Sequence, residues 1–134
     1  RETMIRETVL YYNPNKAAHA VKLKSIFVRM GIRIKNVTPD QVHETVGYLA
    51  GMPGFEISEK TAGSAPEEMN EEMIVMKDFS SRRIDELLLS MRRAGIPKIA
   101  LKAVITEYNS GWTFSKLYGE IKKEHEQMSR SQTQ

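Results

Sequence analysis

The chain predicts an α/β fold, a three-layer sandwich in which four mainly parallel strands carry helices on both faces. Three observations predict it. Extended apolar runs alternate with amphipathic helical runs, the strand-helix-strand-helix order runs through twice, and glycines stand where helical runs should stop. Right-handed crossovers between neighbouring elements favour the strand order 2-1-3-4. A thioredoxin-like mixed sheet is the alternative, because a long fourth strand could bend and pair antiparallel.

Thr8 to Asn13 reads as the first strand. Asn13-Pro14 then supplies an N-cap and a proline at the first helical position. From there Ala17, Ala20, Val21, Leu23, Ile26, Phe27 and Met30 recur at helical spacing as far as Gly31. Ile32 to Val37 is the second strand. Thr38-Pro39-Asp40-Gln41 has the form of a capping box, with Val42, Val46, Leu49 and Ala50 as the buried stripe of a helix stopping at Gly51. The order restarts at Met73 to Phe79. Ser80 caps a helix carrying Ile84, Leu87, Leu88 and Met91 and ending near Gly95. Lys98 to Tyr108 reads as one long strand, and Thr113 caps a last helix with Phe114, Leu117, Tyr118 and Ile121 facing inward. The helix ends at Gly31 and Gly95 lead into similar extended runs, a likeness that a duplication or any helix-to-strand turn would leave.

With 134 residues, 40% apolar and 28% charged, residues 1–134 are expected to form a single domain around one core. Arg1-Glu2-Thr3 repeats as Arg6-Glu7-Thr8, so residues 1–5 are read as an extension without functional weight. No apolar run reaches the roughly 18–20 residues of a membrane span, and the cytoplasm is the expected compartment. The chain has no cysteine, which excludes disulfides, zinc thiolates and thiol catalysis. The net charge of +3 divides into +4 over residues 1–55, −5 over 56–72 and +4 over 73–134. The basic residues are dispersed among glutamates, so nucleic acid is not the expected partner. Residues 56–72 form an acidic connector between the two halves, expected to be mobile from Glu59 to Asn70 and pinned at its start by Phe55 and Ile57.

In open parallel sheets the ligand crevice lies at the carboxyl ends of the strands, so the loops there are the first place to look for chemistry. Asn13, Asp78, Ser80, Arg82, Arg83, Asn109 and Trp112 are the candidate ligand-binding residues on those loops. The run from Lys77 to Arg83 is the best anion candidate. A helix start offers free N–H groups, to which Ser80, Arg82 and Arg83 add donors. Trp112 precedes the Thr113 cap, where it would serve as a hydrophobic staple or stack on a planar ligand. His19, His43 and His125 lack metal-site spacing, and no nucleotide loop or nucleophile elbow is present, so no metal, cofactor or catalytic residue is assigned.

Val9-Leu10-Tyr11-Tyr12-Asn13-Pro14, Arg29-Met30-Gly31-Ile32-Arg33-Ile34-Lys35, Val46 to Phe55 and Lys98 to Asn109 together resemble a family of small, functionally uncharacterised proteins of clostridia and related bacteria. The resemblance runs from Met4 to about Glu126 and implies a bacterial cytosolic origin, with no reaction to carry over. The expected function is a non-catalytic regulatory domain that binds a small anionic ligand or a protein partner. One alternative is an enzyme whose acid/base residues, Asp78 or Glu107, meet others only in three dimensions. The other is a structural module that self-associates, for instance as a homodimer.

Overall fold

The computed structural model describes residues 7–57 and 69–132, with side chains described as far as Met128. Its elements are β1 (Thr8–Tyr12), α1 (Ala20–Arg29), β2 (Arg33–Val37), a 3-10 turn (Pro39–Gln41), α2 (Val46–Leu49), β3 (Met73–Lys77), α3 (Ser81–Arg93), β4 (Leu101–Val104) and α4 (Phe114–Gln132). The sheet order is β2-β1-β3-β4, as the alternation predicts. The β1/β2 and β3/β4 pairs are parallel, and the central β1/β3 pair is antiparallel. β3 and β4 are therefore not the hairpin of a thioredoxin-like sheet; α3 separates them and they run the same way.

Strand alternation sorts the core into two layers. Val9, Tyr11, Ile74 and Met76 face α1 and α3, where they meet Leu23, Phe27, Leu87 and Met91. Leu10, Tyr12, Met73 and Val75 face the other way, toward Val46, Leu49, Phe114, Leu117 and Tyr118. All five residues of β1 are buried, so this strand reads as continuously apolar because both of its faces are covered. Each large side chain buried this completely contributes about 1.5–3 kcal/mol relative to exposure.

The two halves mirror one another about the β1/β3 pair. Its register is centred on Leu10 opposite Val75. Thr8 pairs with Arg33 at the start of β2, as Met73 pairs with Leu101 at the start of β4. Thr45 also faces Thr113 as an antiparallel bridge. Val46 N–H donates to the Trp112 carbonyl (2.8 Å) while Phe114 N–H donates to the Glu44 carbonyl (2.9 Å). Each threonine then caps its own helix, accepting from the N–H of Tyr48 (3.2 Å) or Lys116 (3.1 Å). At the ends of α1 and α3, Gly31 (φ 75) and Gly95 (φ 77) take the left-handed conformation that turns helix into strand. The next residues close the turns alike, with Ile32 N–H on the Phe27 carbonyl (2.9 Å) and Ile96 N–H on the Met91 carbonyl (3.0 Å).

Local boundaries depart from the sequence reading chiefly in three places, besides β1 and β3 ending one and two residues early. α1 begins at Ala20 and not after Asn13-Pro14, because Asn13 Oδ1 accepts the Ala17 N–H (3.0 Å) and Lys16 turns left-handed (φ 51), winding the intervening residues into turns. The capping box at Thr38 forms, but it closes only a 3-10 turn, and Thr45 starts α2 separately. β4 spans Leu101–Val104 alone. Asn109 ends it by accepting the Thr106 N–H (2.9 Å) and donating to the Val104 carbonyl (3.0 Å), which folds the chain back.

The expected mobility of the connector falls largely on residues outside those described. Its exit is anchored, whereas at its entry only Phe55 packs on the body and Ile57, expected to pin it as well, is exposed. At its exit Met69 is buried, and its carbonyl accepts the Tyr12 hydroxyl (2.7 Å). Near its entry the Phe55 ring lies over Gly47, where an added Cβ would stand 2.6 Å from ring carbons. Gly47→Ala is therefore expected to cost about 1–3 kcal/mol by overpacking. The cost should shrink in the Phe55→Ala background, which leaves room for the methyl. Denaturant titration of the single and double variants checks this, and strictly additive losses would show that the ring is not what Gly47 accommodates.

Candidate functional site

The antiparallel central pair divides the strand-end loops between opposite ends of the sheet. Asn13, beyond β1, lies at one end; Asp78, Ser80, Arg82 and Arg83, beyond β3, lie at the other, as does Asn109 beyond β4. The loops therefore do not surround one crevice. Asp78 is left-handed (φ 66), and its exposed carboxylate accepts from Lys77 Nζ (2.6 Å). Ser80 Oγ accepts the Arg83 N–H (3.2 Å) and caps α3. Arg83 grips Glu7 through Nε (2.8 Å) and Nη2 (2.7 Å), reaches Glu86 through Nη1 (2.8 Å) and donates to the Met30 carbonyl (2.6 Å). These carboxylates hold its guanidinium firmly in the charged form. Arg82 remains exposed. Trp112 packs on the α2/α4 side of the core, with Lys116 Nζ 4.6 Å from its ring centroid. Asp78 and Glu107 are both solvent-exposed.

A polar network at the carboxyl end of β1 joins residues far apart in sequence. The Tyr11 hydroxyl donates to Glu72, and His19 Nε2 lies 2.8 and 2.9 Å from the two Glu72 oxygens. Burial first, then the bond to Glu72, raises the Tyr11 pKa well above the ordinary phenol value, so the hydroxyl stays a donor. Nearby, Asn15 Nδ2 donates to the Asn70 carbonyl (2.5 Å), and the Tyr118 hydroxyl accepts the Glu71 N–H (3.1 Å). Every one of these bonds ties residues 70–72 to the body. The network secures the chain as it enters β3, and both Glu72 oxygens are occupied in doing so.

The feature with unspent binding capacity is a cleft of about 470 Å³ between α3 and the segment that leads into β4. Its apolar lining is Leu88, Met91, Ile96 and Ile99, and its polar lining is Arg92, Lys98 and Lys102. None of these three cations forms an ion pair among the described residues. Lys102 is half-buried on β4, on the α3 side of a strand whose Leu101 and Ala103 enter the opposite core layer. Its Nζ donates to the Ile99 carbonyl. Desolvation, reinforced by Lys98, lowers its pKa below that of a free lysine.

Near-symmetry makes the cleft legible as a departure. Ile32 is followed directly by Arg33, the first residue of β2, whereas Pro97, Lys98, Ile99 and Ala100 intervene between Ile96 and Leu101. By register, Lys102 (opposite Ile74) occupies the place of Ile34 (opposite Val9). The segment without a counterpart thus supplies Lys98 and Ile99 to the cleft, and a lysine replaces an isoleucine beside them. Sequence reasoning passed over these residues, although Lys102 is the one charged residue within the apolar run Ile99-Ala100-Leu101-Lys102-Ala103-Val104.

The two arginines after Ser80 are expected to behave differently. Arg83→Gln strands Glu7, whose side chain is only 15% exposed, and should lower stability by about 1–2 kcal/mol. Arg82→Gln should change it by less than about 0.5 kcal/mol. Equal midpoints of urea unfolding for the two variants would contradict the assigned contacts.

Residues 72–128 match a family described as a domain of unknown function (DUF3783). That stretch begins just before β3 and runs into α4, so it takes in the second strand-helix-strand-helix half and the whole lining of the cleft. No curated protein and no solved structure matches the chain.

Proposed function

We propose that the chain is a non-catalytic binding module for a small organic anion, and that the cleft between α3 and the segment entering β4 is where the anion binds. One observation carries the reading. Three cations without carboxylate partners among the described residues surround an apolar lining, and one of them, Lys102, is half-buried with the Ile99 carbonyl as a neutral partner that offsets its desolvation only in part. An anion would offset it. Apolar walls with a few convergent charges suit a ligand that joins a carboxylate or phosphate to a hydrocarbon body, and about 470 Å³ is ample for a molecule of that kind. We place this activity in a bacterial cytosolic setting, on the resemblance to uncharacterised clostridial proteins.

The direct test is calorimetric titration with hexanoate and with inorganic phosphate, run on the wild type, Lys102→Gln and Arg92→Gln. Hexanoate is expected to bind, and loss of either cation should weaken it about 10–100-fold, as loss of a charge-assisted hydrogen bond does. Binding left intact in both variants would remove the cleft from consideration.

Stability should show the complementary effect. Lys102→Met removes a desolvated ammonium and keeps the apolar stem, so at neutral pH the variant should melt above the wild type. Because folding lowers the pKa of Lys102, the unfolded chain binds the extra proton between the folded value and the ordinary 10.5. Wild-type stability relative to the variant therefore rises with pH across that interval, and the advantage of methionine should fade toward pH 10.5. Thermal melts of the pair across neutral to alkaline pH check the sign.

A further inference from the structure

The surroundings of the Lys102 amine point to chemistry beyond charge pairing. Its protein partner is the Ile99 carbonyl, which only accepts. A neutral amine satisfies that carbonyl with one N–H and keeps its lone pair free for another atom. Met91, Ile96 and Ile99, all buried, wall the cleft around the amine, and among the described residues no carboxylate lines it to stabilise an ammonium. Burial and the adjacent Lys98 both favour the neutral form, the condition under which lysines act as nucleophiles toward carbonyl carbons. Arg92 and Lys98 stand on the same lining, where they can hold the carboxylate of a molecule whose carbonyl meets the amine.

We propose that Lys102 captures 2-oxo acids bearing an apolar tail, as an imine, in the cleft between α3 and the segment entering β4. This rests on the anion-binding reading above and names the ligand class it serves. The lone pair of Nζ forms a bond to the carbonyl carbon while the carbonyl π electrons move onto oxygen. The oxygen takes up the proton that the nitrogen sheds. The resulting carbinolamine then loses its hydroxyl as water, with a second proton, and leaves a carbon–nitrogen double bond to Lys102. One water is released and nothing is oxidised or reduced. The tail packs on Leu88, Met91, Ile96 and Ile99, and the carboxylate lies against Arg92 and Lys98. Ile34, at the equivalent position of the first half, has no amine and can do none of this.

The test incubates the full chain with 2-oxohexanoate and sodium cyanoborohydride, which reduces the imine to a stable secondary amine, and maps the adduct by peptide mass spectrometry. Hexanoate, which has the tail and carboxylate but no 2-oxo group, is the matched control in calorimetry. Lys102 should be alkylated faster than any other lysine, since a lowered pKa raises the neutral fraction and the bound carboxylate holds the carbonyl beside the amine. Excess hexanoate should suppress that adduct, and Lys102→Arg, which keeps a positive charge but removes the primary amine, should abolish it. If both acids bind equally and labelling is spread evenly over the lysines, the imine is refuted and the anion site stands. If neither acid binds and Lys102 is not preferentially labelled, the imine and the anion reading fall together.

Discussion

The antiparallel register of β1 against β3, centred on Leu10 and Val75, is the constraint on which the rest of the molecule depends. Each strand brings its own parallel neighbour, so this one pairing joins two similar strand-helix-strand units into a single sheet. It also sets the two core layers. Alternate residues of β1 and β3 point to opposite faces, and the helices divide accordingly, α1 and α3 on one side, α2 and α4 on the other. The Thr45–Thr113 bridge repeats the same antiparallel relation outside the sheet and joins the starts of α2 and α4.

That pairing has a direct consequence for where ligands can bind. A wholly parallel sheet gathers its strand-end loops along one edge and leaves a crevice where the strand order reverses. Here the ends of β1 and β2 lie opposite those of β3 and β4, and the loops are divided. At one end, contacts from Tyr11, Tyr12, Asn15 and His19 hold residues 69–72 in place. At the other, Arg83 locks the start of α3 to Glu7 and the end of α1. Both are satisfied polar arrangements, in which donors and acceptors are matched within the protein.

The α3/β4 cleft differs because its three cations meet no carboxylate among the described residues. A fold built from two similar halves shows most plainly what each half does not share, and the unshared feature here is Pro97 to Ala100 with Lys102 behind it. An isoleucine at the equivalent position packs into the core layer under α1. A lysine there gives up that packing and carries a desolvation cost as well. Such a cost is typical of binding sites, where groups are held ready for a partner and the remainder of the fold supplies the stability.

Much of the local architecture was legible in the residues themselves. Period-two and period-3.6 apolar patterns, Ser80 and Thr113 as caps, and Gly31 and Gly95 as stops act over a few residues, and each stands where the pattern places it. The strand order followed as well, because short connections leave few ways to lay neighbouring elements side by side. The start of α1 did not follow, since the Asn13 side chain satisfies a turn as readily as a helix. Nor did the length of β4, which Asn109 ends with two backbone contacts. The direction of β3 relative to β1 was beyond the sequence, because a strand buried on both faces has the same apolar composition in either orientation. Choosing between the two orientations depends on contacts across the whole chain, such as Tyr12 to Met69 and Thr45 to Thr113. The cleft depends on that choice in turn. Arg92, Lys98 and Lys102 are ordinary surface-type residues when read in order, and only the packing of α3 beside β4 turns them toward a common apolar space.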